Sequence, residues 1–126
     1  MIENLLLAKD IMLDDVITAS SDDLIAAAKL KMVRANIGGV PIVNKGKLVG
    51  LITHRDILLA GSEAMGLKVR DLMSNNLSTV HENTNIKEIC QMMADTGYQR
   101  IPVVDGDLLL GLITQSCIIR AVADIL

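Results

Sequence analysis

The chain is written twice. Displaced by 61 positions without a gap, Lys9-Asp10-Ile11-Met12 falls on Arg70-Asp71-Leu72-Met73, Pro41-Ile42-Val43 on Pro102-Val103-Val104, and Gly50-Leu51-Ile52-Thr53 on Gly111-Leu112-Ile113-Thr114. At the same offset Thr18, Ile25, Met32 and Leu48 meet Thr79, Ile86, Met93 and Leu109, so a whole supersecondary unit is duplicated rather than one motif. A solenoid needs about three or more stacked units. Two copies in 126 residues therefore imply one compact body in which each copy covers the other's apolar face, with the cleft between them as the place to seek a ligand.

The length is one ordinary domain's worth, enough to bury roughly two-thirds of the unfolded surface. Apolar residues make up 51% of the chain, yet Tyr98 is its single aromatic. The expected core is thus aliphatic, filled by Leu, Ile, Val, Ala and seven Met. That much aliphatic content in a small protein predicts an exposed apolar strip, which a homodimer would cover. Charged residues interrupt every helix-like segment, so no apolar run reaches the ~18 residues of a membrane span. Met1-Ile2-Glu3-Asn4-Leu5 lacks the basic start of a secretory signal, which points to a soluble, cytoplasmic protein. Cys90 and Cys117 stand far apart in apolar helical contexts without zinc-like spacing and read as packed thiols. A net charge of −3 gives no general attraction to nucleic acid or anionic lipid.

Each copy reads as strand, helix, strand, strand, helix. Val16-Ile17-Thr18 and Leu77-Ser78-Thr79-Val80 are β-prone, and the cap candidates Ser20 to Asp23 and Glu82 to Thr84 follow them. In the second copy Ile86, Ile89, Cys90 and Met93 form one helical stripe; in the first, Ile25, Ala28 and Met32 keep it while Lys29 replaces the cysteine. Asn36 with Gly38-Gly39, and later Gly97, end those helices before the strands Val40-Pro41-Ile42-Val43 and Ile101-Pro102-Val103-Val104. A proline cannot donate to a ladder, which places each at a strand start or on an edge. Asn44 to Lys47 and Asp105 to Asp107 are the hairpin turns, and second helices follow Thr53 and Thr114.

Thr53-His54-Arg55-Asp56 stands where a strand gives way to a helix, a place whose free backbone N–H groups favour an anion. Asp56 can accept two hydrogen bonds from a vicinal diol, as an acid does for ribose in dinucleotide sites. The same Thr-x-x-Asp spacing fits a helix capping box in which the acid reaches back to the cap residue. His54 and Arg55 face either solvent or ligand.

The leading Lys9-Asp10-Ile11-Met12 and Val69-Arg70-Asp71-Leu72-Met73 elements, the apolar-Pro-apolar strands and Gly-x-x-Thr before the second helix together resemble a tandem of CBS domains, or Bateman module, over nearly the whole chain. The resemblance implies an α/β (α+β) fold: two β-α-β-β-α units, residues 8–62 and 69–123 with a linker at 63–68, related by a pseudo-twofold axis and packed sheet to sheet with helices outside. It implies that Asp56 holds a ribose and Thr53 approaches phosphate. Carried over across that axis, one main site joins Thr53, His54, Arg55 and Asp56 to Leu77, Ser78, Tyr98, Gln99 and Arg100. Tyr98 either stacks on an adenine or plugs the gap between units, and Arg100 is suited to phosphate because it stays charged and offers two donors. The opposite site joins Thr114 and Cys117 to Val16, Ile17, Gly38 and Gly39. There Cys117 stands where the acid belongs, and a thiol is a poor acceptor for a diol, so this site is expected to be weak or vestigial.

The expected function is a non-enzymatic sensor that requires no cofactor or metal, binds AMP, ADP, ATP or S-adenosylmethionine between its units and signals to an unknown protein in trans. The competing class is a ligand-free dimerisation or interaction scaffold. An enzyme has little support, since the sequence shows no Ser-His-Asp signature, metal cluster or Walker loop.

Overall fold

The computed structural model describes residues 6–126; Met1 to Leu5, the stretch read against a secretory signal, lie outside the described residues. In chain order the elements are α1 (Ala8–Ile11), α2 (Ile25–Ala35), β1 (Gly39–Asn44), β2 (Lys47–Thr53), α3 (His54–Ala60), a 3-10 helix (Ser62–Gly66), α4 (Val69–Leu72), β3 (Val80–His81), α5 (Ile86–Thr96), β4 (Arg100–Asp105), β5 (Leu108–Thr114) and α6 (Gln115–Ile125). The fold is mixed α+β, and the described residues divide into two compact units: residues 17–77, and residues 6–16 with 78–126.

The unit in space is therefore offset from the repeat in sequence. In the unit of residues 17–77, β1 and β2 form an antiparallel hairpin, Ala19 bridges Ile42 in parallel, and Ser74 pairs with Leu51. In the other unit β4 and β5 form the hairpin, β3 runs parallel to β4, and Leu13 pairs with Leu112. Every one of these pairs is reproduced at the 61-residue offset, but the leading segment of each copy is exchanged: α4 packs with residues 17–77, and α1 with residues 78–126. The exchanged segments also satisfy helix ends. The Ile25 N–H at the start of α2 donates to Leu67 O at 2.9 Å, and the Ile86 N–H of α5 donates to Leu6 O at 3.0 Å. α2 has no side-chain cap, so this backbone bond answers one of its orphan donors. The stretch between the repeats is ordered into the 3-10 helix, which buries Ala64 in the unit of residues 17–77.

The repeated motif residues have local duties. Asp10 and Asp71 each accept from the backbone N–H of the residue before their short helix, Leu7 at 2.8 Å and Lys68 at 3.0 Å. Met12 and Met73 then lie over glycines: a Cβ on Gly111 would stand 2.5 Å from Met12 Sδ, and one on Gly50 2.5 Å from Met73 Sδ. The glycine of each Gly-x-x-Thr motif thus provides close approach for an exchanged segment.

Two expectations change. Residues 16–18 and 77–79 hold no regular structure; the leading strand is a single bridge at Ala19 in one unit and the two residues of β3 in the other. Neither proline is first in its strand; Pro41 lies in an edge strand, as expected, whereas Pro102 lies in β4, which is flanked by β3 and β5. Pro41 and Pro102 are third residues of β1 and β4, buried opposite Leu51 and Leu112. There the Leu51 N–H turns away to Ser74 O at 2.9 Å, so this pair needs no donor from Pro41. On the other side of β1 the Ala19 N–H donates to Pro41 O at 3.1 Å and the Val43 N–H to Ala19 O at 2.9 Å, so Pro41 enters that ladder only as an acceptor. A missing donor at Pro41 explains why the leading strand is so short.

Each unit has its own aliphatic core. Ile25, Ala28 and Met32 of α2 meet Val40, Ile42, Ile52 and Val69; Ile89 and Met93 of α5 meet Ile101, Val103, Ile113 and Ala8. The expected helix stops hold, with Asn36 and Gly97 both in the left-handed region at φ 54° and 74°.

Candidate functional site

The residues expected in the main site fall in both units: Thr53, His54, Arg55, Asp56 and Leu77 in residues 17–77, and Ser78, Tyr98, Gln99 and Arg100 in the other. The residues of the weak site divide likewise, Ile17, Gly38 and Gly39 in the first and Val16, Thr114 and Cys117 in the second.

In the unit of residues 17–77, the end of β2 delivers Thr53 as the cap of α3. Both readings of Thr-x-x-Asp meet here, because the capping box is closed. Thr53 Oγ1 accepts from the Asp56 N–H at 3.3 Å, while Asp56 Oδ2 accepts from the Thr53 N–H at 2.9 Å and from its hydroxyl at 3.1 Å. Among the described residues Asp56 Oδ1 takes no hydrogen bond, and the carboxylate is half-buried. A carboxylate has about four acceptor positions, so the box leaves room for a diol. The hairpin sets Gly39 opposite Thr53, and the His54 N–H donates to Gly38 O at 2.9 Å. His54 and Arg55 are exposed, and with Lys29 of α2 they rim an open groove of about 570 Å³ floored by Ile57, Leu58 and Met65. Leu77 is half-buried and Ile17 exposed, both just outside the regular elements.

In the other unit β5 delivers Thr114 as the cap of α6 in the same geometry, with sulfur in place of the carboxylate. Thr114 Oγ1 accepts from the Cys117 N–H at 3.3 Å, and Cys117 Sγ stands 3.4 Å from Thr114 N and 3.3 Å from its hydroxyl. Cys117 is buried and forms part of the core, as the sequence suggests, whereas Cys90 is half-exposed, though enough of it is covered that desolvation pushes its thiol pKa up. The β4–β5 register places Arg100 opposite Thr114, and the Gln115 N–H donates to Gln99 O at 3.2 Å. Arg100 is half-buried, and burial pushes its guanidinium below the usual arginine value. Among the described residues it has no hydrogen-bond or ion-pair partner. Gln99 is exposed and Tyr98 is 46% exposed, while Val16 and Ser78 are half-buried.

Sequence reasoning missed Lys29 as a neighbour of His54 and Arg55; its replacement of Cys90 in the aligned stripe was the signal available. Among the described residues there is no cluster of three metal-ligating side chains, and no helix is long and apolar enough to cross a membrane.

Two α+β units, each with a helix capped by the threonine of a Gly-x-x-Thr motif and each completed by the leading segment of the other repeat, define a tandem-repeat module. The CBS-domain family matches residues 8–63 and again 69–124. The chain belongs to that family and is a tandem CBS-domain pair. It is similar to the inosine-5'-monophosphate dehydrogenase of Methanocaldococcus jannaschii, 36% identical over 115 residues, a match that covers 90% of this chain but only 23% of the dehydrogenase. Among solved structures it is similar to the CBS-domain pair of protein MJ0100 in complex with 5'-methylthioadenosine and S-adenosyl-L-methionine, with a TM-score of 0.85, 32% identity and coverage of 94% of this chain and 97% of that one. CBSX2 in complex with AMP superposes with a TM-score of 0.88 at 25% identity, covering 94% and 97%.

Proposed function

We propose that this CBS pair is a non-enzymatic regulatory module that binds one adenosine-containing ligand, AMP, ADP, ATP or S-adenosylmethionine, and acts on a partner in trans as a homodimer. Asp56 takes the ribose diol on its open Oδ1, Thr53 and Arg100 approach the phosphate or carboxylate, and Cys117 leaves the second site weak. The observation that carries the reading is Arg100: a half-buried guanidinium without a partner among the described residues has lost part of its hydration, and an incoming anion would restore that loss. The complexes of CBSX2 with AMP and of MJ0100 with adenosyl compounds support the ligand class. The scaffold reading draws its strength from the closed Thr53–Asp56 box, which is complete without a ligand.

Calorimetry with AMP, ATP and S-adenosylmethionine on wild type, Asp56→Ala and Arg100→Ala tests the proposal. The expected result is binding by wild type, a loss of ten-fold or more in Asp56→Ala, and in Arg100→Ala a loss larger for AMP and ATP than for S-adenosylmethionine. Silence of wild type across the panel, or equal binding by all three proteins, would reject the site in favour of the scaffold.

A further inference from the structure

The two copies of the repeat diverge where α3 ends. That helix stops after 7 residues at Gly61, whose φ of 84° lies in the region that favours glycine, and the chain bends into the 3-10 helix that carries Met65. At the 61-residue offset Gly61 answers Val122, which lies within an α6 that runs on through 11 residues. The early stop opens the groove of about 570 Å³ beside α2 and α3, a volume ordinary for a small-molecule site. Ile57, Leu58 and Met65 floor it, and Lys29, His54 and Arg55 rim it. Among the described residues no acid lines the groove, and neither Lys29 nor Arg55 has an ion-pair partner. The three rim positions answer Cys90, Gln115 and Ser116 in the other copy, so the cations are particular to this one.

An occupant has to satisfy both the floor and the rim. A wholly apolar molecule would strip water from Lys29 and Arg55 and offer them nothing in its place. A bare anion would pair with them but leave Leu58, 80% exposed, still facing water. An anionic head on an aliphatic tail meets both demands, since the head takes charge-assisted hydrogen bonds from the rim while the tail covers the floor. The geometry points to a second small-molecule site on this chain, which takes an amphipathic anion: a medium-chain alkyl carboxylate or alkyl phosphate, its head held by Lys29 and Arg55 and its tail laid over Leu58 and Met65. This site does not rest on the adenosyl reading. Thr53, Asp56 and Arg100 do not line the groove. Successive helix residues turn by about 100°, so Asp56 points away from the face that presents His54, Ile57, Leu58 and Gly61 to it.

The test is calorimetric titration of the full chain with octanoate, decanoate, dodecanoate and decyl phosphate below their micelle concentrations, with decanol and decyltrimethylammonium as neutral and cationic controls. Wild type is compared with Lys29→Gln/Arg55→Gln, a pair of exposed changes whose folding far-UV circular dichroism confirms. Wild type is expected to bind one alkyl anion per chain, and the tighter of decanoate and decyl phosphate names the head. Affinity should rise about two-fold with each added methylene, less than full burial would give because the groove is open. The two controls should bind about ten-fold or more weakly, and the double variant should lose about ten-fold or more for the anions while treating decanol as wild type does. AMP should not displace decanoate, and displacement would overturn the separateness of the two sites. Silence of wild type toward every alkyl anion, whether the groove stays empty or a second copy of the chain covers it, would overturn the proposal. So would an affinity independent of tail length, or a double variant that binds decanoate as tightly as wild type. Because these titrations contain no nucleotide, their failure is distinct from a failure of the adenosyl panel.

Discussion

Gly111→Ala is the sharpest test of the exchanged segments. A Cβ at Gly111 would stand 2.5 Å from Met12 Sδ, 2.8 Å from Met12 Cγ and 2.7 Å from Leu13 O, against about 3.5–4 Å for comfortable contact. The methionine can swing aside, but the carbonyl cannot, because Leu13 exchanges two 2.9 Å hydrogen bonds with Leu112. Relief requires residues 12 and 13 to withdraw by several tenths of an ångström, weakening two bonds worth about 1 kcal/mol each and disturbing the seat of Met12. Overpacking of this kind costs about 1–3 kcal/mol, and lower chain entropy in the unfolded state returns about 0.4–1 kcal/mol. The net expectation is a loss of about 2 kcal/mol, or roughly 5–10 °C in Tm for a chain of this length. At Gly50 the backbone atom, Ser74 O, lies farther away at 3.0 Å and the nearer atoms belong to the flexible Met73, so Gly50→Ala should lose about half as much. Urea denaturation followed by circular dichroism measures both. A Gly111→Ala protein within about 0.5 kcal/mol of wild type, or Gly50→Ala as the costlier change, would refute the close-approach argument.

Cys117→Asp restores the missing acid of the second site and is expected to raise calorimetric stoichiometry from one adenosyl ligand per chain toward two; an unchanged value would mean that the cysteine is not what disables it. Arg100→Ala should leave Tm unchanged or slightly raised in the absence of ligand, since it removes a half-buried cation that has no partner among the described residues, and a fall of several degrees would reveal a structural role instead. Desolvation holds the Cys90 thiol protonated to higher pH than a free cysteine, so its alkylation by iodoacetamide should begin at higher pH than that of a cysteine peptide. The same sign makes its contribution to stability full below the ordinary thiol pKa and lost as pH rises through the folded value. Coincident alkylation profiles would contradict it.

Much of the fold was legible because local chemistry and the repeat agreed. The hairpin turns fall at Lys45-Gly46 and Gly106-Asp107, and the helices stop at Asn36 and Gly97, where backbone geometry demands particular residues. The exchange of leading segments was not legible, since a repeat of constant offset aligns equally well whichever core receives α1 and α4. Nor was the shortness of the leading strands, which depends on which side of β1 the Pro41 nitrogen faces. At the site, Thr53 and Asp56 could be placed from their spacing, and the closed box shows why spacing alone left capping and ligand binding open: the same atoms are suited to both. Partial burial of Arg100 could not be read from a strand pattern, because it follows from how β4 is covered.

The exchange of α1 and α4 also bears on the order in which the protein is made. Residues 17–77 form a compact unit from one unbroken stretch, so all of its partners have left the ribosome before β3 is synthesised. The other unit is split, and Ala8 and Leu13 must wait for the hydrogen bonds and core of residues 78–126. Domains generally fold as units during synthesis, N-terminal ones first; here the middle of the chain would fold before its beginning, and the first helix would be among the last pieces to find its place.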